Sequence, residues 1–192
     1  MKTLRRPIVL VPVAIVVVVV LGVGLFLFQP WKLFTNTTVN EASPVAASAP
    51  ADPAASADAD PATPASPAAP AAEAAVISTG TFISHEHGTS GTVQVIELPD
   101  GRRVLRIEGL DTSNGPDLKV WLSDAPVIDG AEGWLVFDDG DYVDLGALKG
   151  NKGNQNYEIP ATADLSDLTS VAIWCDRFSV SFGAAELTPT PV

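Results

Sequence analysis

The sequence predicts an all-β protein, an antiparallel β-sandwich preceded by one transmembrane helix and a disordered linker rich in alanine and proline. Three observations predict it: an uncharged apolar run, a stretch of small residues and prolines, and a region of short alternating segments separated by turn residues. The expected divisions are a cytoplasmic N-terminus (1–6), a transmembrane helix (7–28), a linker (29–75) and the sandwich domain (76–192).

The apolar run at residues 7–28 is long enough to cross a bilayer, which takes about 20 helical residues. Lys2, Arg5 and Arg6 precede it, and the next basic residue is Lys32. This distribution predicts a cytoplasmic N-terminus and an extracytoplasmic domain. A cleaved signal peptide has a shorter apolar region and a small-x-small site, and LFLFQPWKLF at the end of the run contains no such site. We therefore expect an uncleaved, single-pass anchor in the cell membrane.

The predicted linker at residues 29–75 consists mostly of Ala, Pro, Ser, Asp and Thr, which cannot bury a core. Its roughly 40 low-complexity residues would reach on the order of 120 Å as polyproline, or about 35 Å as a flexible coil. We expect it to hold the domain away from the membrane. A composition this rich in alanine and proline is typical of a bacterial protein.

Alternating residues and turn signals organise the region from residue 76 onward. The predicted strands are GTFIS, GTVQVIEL, RRVLRIEGL, LKVWLS, YVDLGAL, NYEIP, TSVAIWC and FSVSFGAAEL. Turn signals separate them at PDG (99–101), SNGPD (113–117), DDGD (138–141) and KGNKGN (149–154). The clearest hairpin is at PDG. This many short strands at such spacing predict an antiparallel sandwich.

The net charge of −12 limits the possible partners. In the domain, acidic residues outnumber basic ones more than twofold. Nucleic acids and anionic lipid surfaces both require basic patches, so neither is an expected partner of the domain. We interpret the acidity itself as a feature that keeps the domain soluble.

The only cysteine, Cys175, ends the predicted strand TSVAIWC. Val171, Ile173 and Cys175 share one face of this strand, and the other face is also apolar, which predicts a strand covered on both sides. A lone thiol outside the cell is either shielded or used. A shielded thiol is a small hydrophobe with a raised pKa, whereas a reactive thiolate needs a nearby cation, for which Arg177 and His87 are the candidates. As a ligand, a thiolate binds haem iron or copper.

Four stretches in order resemble the electron-transfer DM-thirteen (DM13) domain family. They are GTFISHEHGTSGTVQV, in which His87, Ser90 and Gly91 fall on the motif, LRIEGLDTSNGPDLKVWLS, VDLGALKGNKGNQNYEIP and SVAIWCDRFSVSFGAAEL. The resemblance covers about Thr79 to Leu187 and implies a β-sandwich with a redox or electron-transfer role at the cell surface. The family's cysteine falls on Cys175, as a free thiol or as a ligand of a prosthetic group.

Other combinations of residues are weaker candidates for binding a metal or a cofactor. His85, His87 and Cys175 supply the residue types of a blue-copper site, but no histidine follows Cys175 and the only methionine is Met1, so copper is disfavoured. A C-x-x-C-H motif is absent, which excludes covalent haem. DDGDYVD is interpreted as a solvated acidic turn rather than a calcium site. We therefore predict no metal site. The expected cofactor is haem or none, and the candidate residues for binding it are Cys175 and His87.

Two functions follow from the sequence. One is a redox or electron-transfer role centred on Cys175, with an unidentified redox or surface protein as partner. The alternative is a non-catalytic binding or scaffolding module in which Cys175 is structural. Independent turnover is not expected, because no nucleophile stands with a base and no phosphate-binding loop is found.

Overall fold

The computed structural model describes residues 7–45 and 73–191. It begins with α1 (Pro7–Phe28), followed by a 3-10 helix at Pro30–Phe34. From Leu10 onward the apolar side chains of α1 are mostly exposed. By length and composition it can cross a membrane or serve as a signal sequence. A helix that is apolar on all sides needs apolar surroundings, so α1 is compatible with membrane anchoring.

Eleven strands follow in the described part of the chain. They are β1 (Thr38–Asn40), β2 (Ala75–Thr81), β3 (Ile83–Ser84), β4 (Ser90–Glu97), β5 (Arg103–Asp111), β6 (Leu118–Ser123), β7 (Tyr142–Ala147), β8 (Lys152–Ile159), β9 (Ser170–Cys175), β10 (Val180–Glu186) and β11 (Thr188–Pro189). One sheet has the order β1-β8-β5-β4-β2-β11 and the other β3-β10-β9-β6-β7. All pairs are antiparallel except β1 with β8. The predicted antiparallel sandwich is confirmed.

Alternate residues of the strands fill the space between the two sheets. Examples of this main core are Val93 and Val95 from β4, Leu105 from β5, and Val171 and Ile173 from β9. Full burial of such an aliphatic side chain contributes about 1.5–3 kcal/mol to folding. A smaller core lies on the outer face of the second sheet, beneath the β6–β7 loop (residues 124–141). The prediction that β9 is covered on both faces is therefore confirmed.

The predicted strands are present, and the PDG hairpin joins β4 to β5. Two predictions were inexact. GTFIS was predicted as one strand, but β2 already begins at Ala75 and the stretch is divided between β2 and β3, which lie in different sheets. NYEIP was predicted too short, because β8 already begins at Lys152, within the predicted turn KGNKGN. Gly153 makes this possible. It has a φ of +97°, and a Cβ there would collide with the carbonyl oxygen of Val39 in β1. Glycine therefore lets β1 approach β8 closely.

The predicted linker is wrong at its beginning. Instead of low-complexity chain throughout residues 29–75, the structure has the 3-10 helix and then β1, which pairs in parallel with β8. Residues 46–72 of the predicted linker lie outside the described residues. Composition gave no signal for β1, since a three-residue strand obtains its hydrogen bonds from a partner more than a hundred residues further along the chain.

We predict that Gly153→Ala destabilises the domain more than Gly101→Ala does. Both glycines have positive φ, +97° and +81°, so both substitutions strain the backbone. Only at Gly153 does a Cβ also meet β1, whereas at Gly101 no atom of the described residues outside its immediate neighbours lies within 4 Å. We expect an additional loss of about 1–3 kcal/mol in the free energy of unfolding, measured with urea. Equal losses would contradict the close contact between β1 and β8.

Candidate functional site

Cys175 lies at the end of β9, between two neighbouring strands of the second sheet. It pairs with Leu118 of β6 on one side and Val180 of β10 on the other. Its exposed fraction is 0%, and its side chain belongs to the main core. The sulfur is therefore covered in the folded domain, and the exposed β9–β10 turn (residues 176–179) follows it directly in the chain.

The surroundings of Cys175 favour the protonated thiol. Burial raises the pKa of the thiol, and the backbone N–H groups of Phe178, Arg177 and Asp117 only partly oppose this increase. The reactive form of cysteine is the thiolate, which exposed, electropositive sites stabilise. Cys175 therefore has the environment of a shielded cysteine in the folded state.

The two candidate cations do not pair with Cys175. Arg177 lies on the exposed β9–β10 turn. The Nε2 atom of His87 is 2.6 Å from the carboxylate of Glu86, and its ring lies 3.9 Å from that of Phe182, between centroids. Within the described ranges, neither side chain makes a hydrogen bond or ion pair with the sulfur. The structure does not bring the predicted cofactor-binding pair, Cys175 and His87, into direct contact.

His85 is more buried than the pattern HEH suggested. Its Nδ1 atom lies 2.9 Å from the hydroxyl of Ser181, and its ring packs against Phe137. The Nε2 atom is buried and has no hydrogen-bond partner among the residues that the structure describes. Burial lowers the pKa of His85, although the Ile128 carbonyl and the Asp129 carboxylate oppose this. The imidazole is therefore neutral near pH 7 and is part of the packing beneath the β6–β7 loop.

The described residues contain no group of three His, Cys, Asp or Glu placed to hold a metal ion. A haem ligated by Cys175 does not fit either, because the sulfur is packed among core side chains and fully covered. A hollow of about 270 Å³ does open at the same end of the sandwich, but its lining includes Phe28, His87 and Phe182 rather than Cys175.

An aromatic column that the sequence analysis missed begins beside Cys175. Trp174 points to the outer face of β9 and stacks on Trp121 of β6 at 5.1 Å between ring centroids. Trp121 stacks on Tyr142 of β7 at 4.0 Å, and Tyr142 is 46% exposed. Indole and phenol are the side chains most readily oxidised by one electron after thiols, so this column links the core to the surface through oxidisable groups. The sequence shows these aromatic residues but not the order of their strands.

Together, the fold and the site define a small antiparallel β-sandwich domain that buries one cysteine at the end of a central strand. The family model described as electron transfer DM13 matches residues 81–187, more than half of the chain. The chain therefore belongs to the electron transfer DM13 family, and the resemblance inferred from four motifs is confirmed. No curated protein and no solved structure matches it. Family membership suggests a role related to electron transfer.

We predict that Cys175 reacts slowly with a thiol reagent in the native protein. Compared with a cysteine introduced by Asp176→Cys in a Cys175→Ala background, the rate should be lower by roughly a hundredfold or more, because Cys175 is both covered and protonated. The measurement is alkylation at several pH values followed by mass spectrometry. Because the pKa of Cys175 is raised, its alkylation rate should also reach half of its maximum at a higher pH than the rate of the introduced cysteine. Equal rates at the two positions would contradict the burial.

We also predict that His85 makes stability dependent on pH. A group whose pKa is lowered by folding stabilises the native state above its ordinary pKa of 6.5 and loses this contribution as the pH falls towards its folded value. The free energy of unfolding should therefore decrease between about pH 7 and 5, and His85→Gln should flatten that decrease. His87→Gln is the control, since that side chain is partly exposed. An unchanged slope in His85→Gln would contradict the prediction.

Proposed function

We propose that the chain is a single-pass membrane protein whose DM13 domain lies outside the cytoplasm and takes part in electron transfer. The observation that carries the proposal is the family match, which includes strands β3 to β10 and so both sheets of the sandwich. The exposed apolar helix α1 supports the anchor. Basic residues concentrated before the helix support the cytoplasmic position of the N-terminus.

Cys175 is the proposed redox centre. A lone thiol can exchange with the disulfide of a partner protein without any further oxidant. Its thiolate attacks one sulfur and forms a mixed disulfide, while the other sulfur leaves as a thiolate and takes up the proton that Cys175 released. Because the folded domain covers Cys175, this exchange needs a local opening of the β9–β10 turn.

The alternative is a non-catalytic surface module that binds or organises other molecules. The burial of Cys175 and its raised pKa favour this function. In this case the thiol fills space in the core, as buried free cysteines commonly do. The two functions differ in whether Cys175 becomes accessible without unfolding of the whole domain.

We predict that glutathione disulfide modifies Cys175 faster than the domain unfolds. The full chain is reconstituted in lipid nanodiscs and purified without reductant. Adduct formation is followed by mass spectrometry, and the global unfolding rate comes from urea kinetics extrapolated to water. Opening of one turn exposes less surface than unfolding, so it is more frequent. We expect the adduct to form at least about tenfold faster than the domain unfolds. The rate of adduct formation should change little at low urea concentrations.

Cys175→Ser should give no adduct, and an exposed cysteine from Asp176→Cys in the Cys175→Ala background calibrates the reagent. If the modification rate of Cys175 equals the unfolding rate at every urea concentration, the redox role is wrong and the structural role holds.

A further inference from the structure

The connection between α1 and the sandwich is short. Only residues 29–37 separate the end of α1 from β1, and five of them form the 3-10 helix. A 3-10 helix rises about 2 Å per residue and extended chain about 3.5 Å, so the connection spans at most on the order of 25 Å. This is far below the reach of about 120 Å expected of a spacer of roughly 40 residues.

The segment after α1 is fixed to the domain by its side chains as well as by β1. The N–H of Thr37 donates to Asn151 Oδ1 at 2.8 Å, and Lys149 Nζ lies 2.7 Å from the carboxylate of Glu41. The backbone N–H of Asn156 donates to the same carboxylate at 2.6 Å. These contacts lie on both sides of β1, so the segment is held along its length.

The end of α1 and the 3-10 helix that follows it both touch one end of the sandwich. Lys32 Nζ donates to the carbonyl oxygens of Gly115 and Pro116, at 3.0 and 3.4 Å. The ring of Phe28, the last residue of α1, stacks on Phe178 in the β9–β10 turn at 5.7 Å. The 113–117 loop and this turn therefore form the end of the domain nearest to the helix.

Large aromatic side chains are exposed at this end. Trp31 is 50% exposed, Phe34 87% and Phe178 46%. Aromatic residues are enriched where membrane proteins meet the lipid headgroups. The nearby charges are mixed, with Lys32 and Arg177 opposed by acidic residues that include Asp176 and Glu86. A contact here therefore depends on aromatic burial and not on attraction to anionic lipid.

We infer that this end of the sandwich rests on the lipid interface on the domain's side of the membrane, with Trp31, Phe34 and Phe178 as its lipid contacts. The inference depends on the proposed membrane span of α1. It also changes the role of the Ala/Pro-rich segment at residues 46–72. Residues 46–72 follow β1 and precede β2 in the chain, and both strands belong to one sheet, so this segment does not separate the domain from the bilayer.

The test uses the full chain in phosphatidylcholine nanodiscs, with a fluorophore attached through Phe178→Cys in a Cys175→Ala background. Nitroxide-labelled lipid is the quencher. The matched control is Asp100→Cys, in the β4–β5 hairpin at the opposite end of the sandwich. We expect quenching at position 178 to exceed that at position 100 by roughly threefold or more, because only the first position lies at the lipid interface.

Two insertions of about twelve Gly and Ser residues test the connection. Placed after Phe34, the insertion lengthens the tether ahead of β1 and should reduce quenching at position 178 to the control level. Placed after Pro61, within the Ala/Pro-rich segment, it should leave quenching unchanged.

The outcomes separate the inference from the proposed function. If the chain elutes with nanodiscs but quenching is equal at the two positions, the docked arrangement is wrong and the membrane anchor stands. If the insertion after Pro61 abolishes quenching and the one after Phe34 does not, the docked arrangement is also wrong. A chain that does not elute with nanodiscs overturns both the anchor and the inference.

Discussion

The burial of β9 on both faces is the constraint on which the rest of the sandwich depends. Its inner face completes the core between the sheets, and its outer face lies in the smaller core under the β6–β7 loop. The same burial raises the pKa of Cys175. Opening the β9–β10 turn would also expose Val180 and Phe182. Exposure of the buried Phe182 costs about 1.5–3 kcal/mol, and the partly buried Val180 adds less, so the open state is rare.

A buried cation ties the segment after α1 to the first sheet. Arg106 of β5 is almost fully buried, and a buried guanidinium must have its N–H groups paired. It donates to the carbonyl oxygens of Glu41 and Ala42 at 2.7 and 3.2 Å, and to Glu108 Oε1 and Asn156 Oδ1. Two of its acceptors therefore come from the residues after β1. Removal of this segment would leave the guanidinium partly unpaired, which explains why β1 lies where it does although it is outside the region matched by the family model.

Alternation and turn chemistry predicted most strands of the domain, because each half-buried strand carries its own pattern. They also predicted that β9 is covered on both faces. They did not predict β11 or the division of GTFIS between β2 and β3. For Cys175 the sequence left two alternatives, a shielded thiol or a reactive one, and the structure shows that the thiol is covered. β1 could not be predicted, since its partner β8 is distant in the chain. The burial of His85 likewise depends on Phe137, which the β6–β7 loop brings over it. Such long-range contacts leave no local pattern.

The inferred membrane contact and the thiol share one structural element. Cys175 ends β9, and Phe178 is three residues further on, in the turn that must open before the thiol can react. In the docked arrangement this turn stacks on the end of α1 and faces lipid. A partner that exchanges with Cys175 would therefore have to meet it at the membrane surface. The aromatic column behaves differently, because Tyr142 reaches the surface on β7, at the opposite edge of the sheet from β3. Electron exchange between these rings and a redox partner that contacts Tyr142 would need no opening of the turn. It would therefore differ from thiol exchange at Cys175 in its dependence on the β9–β10 turn.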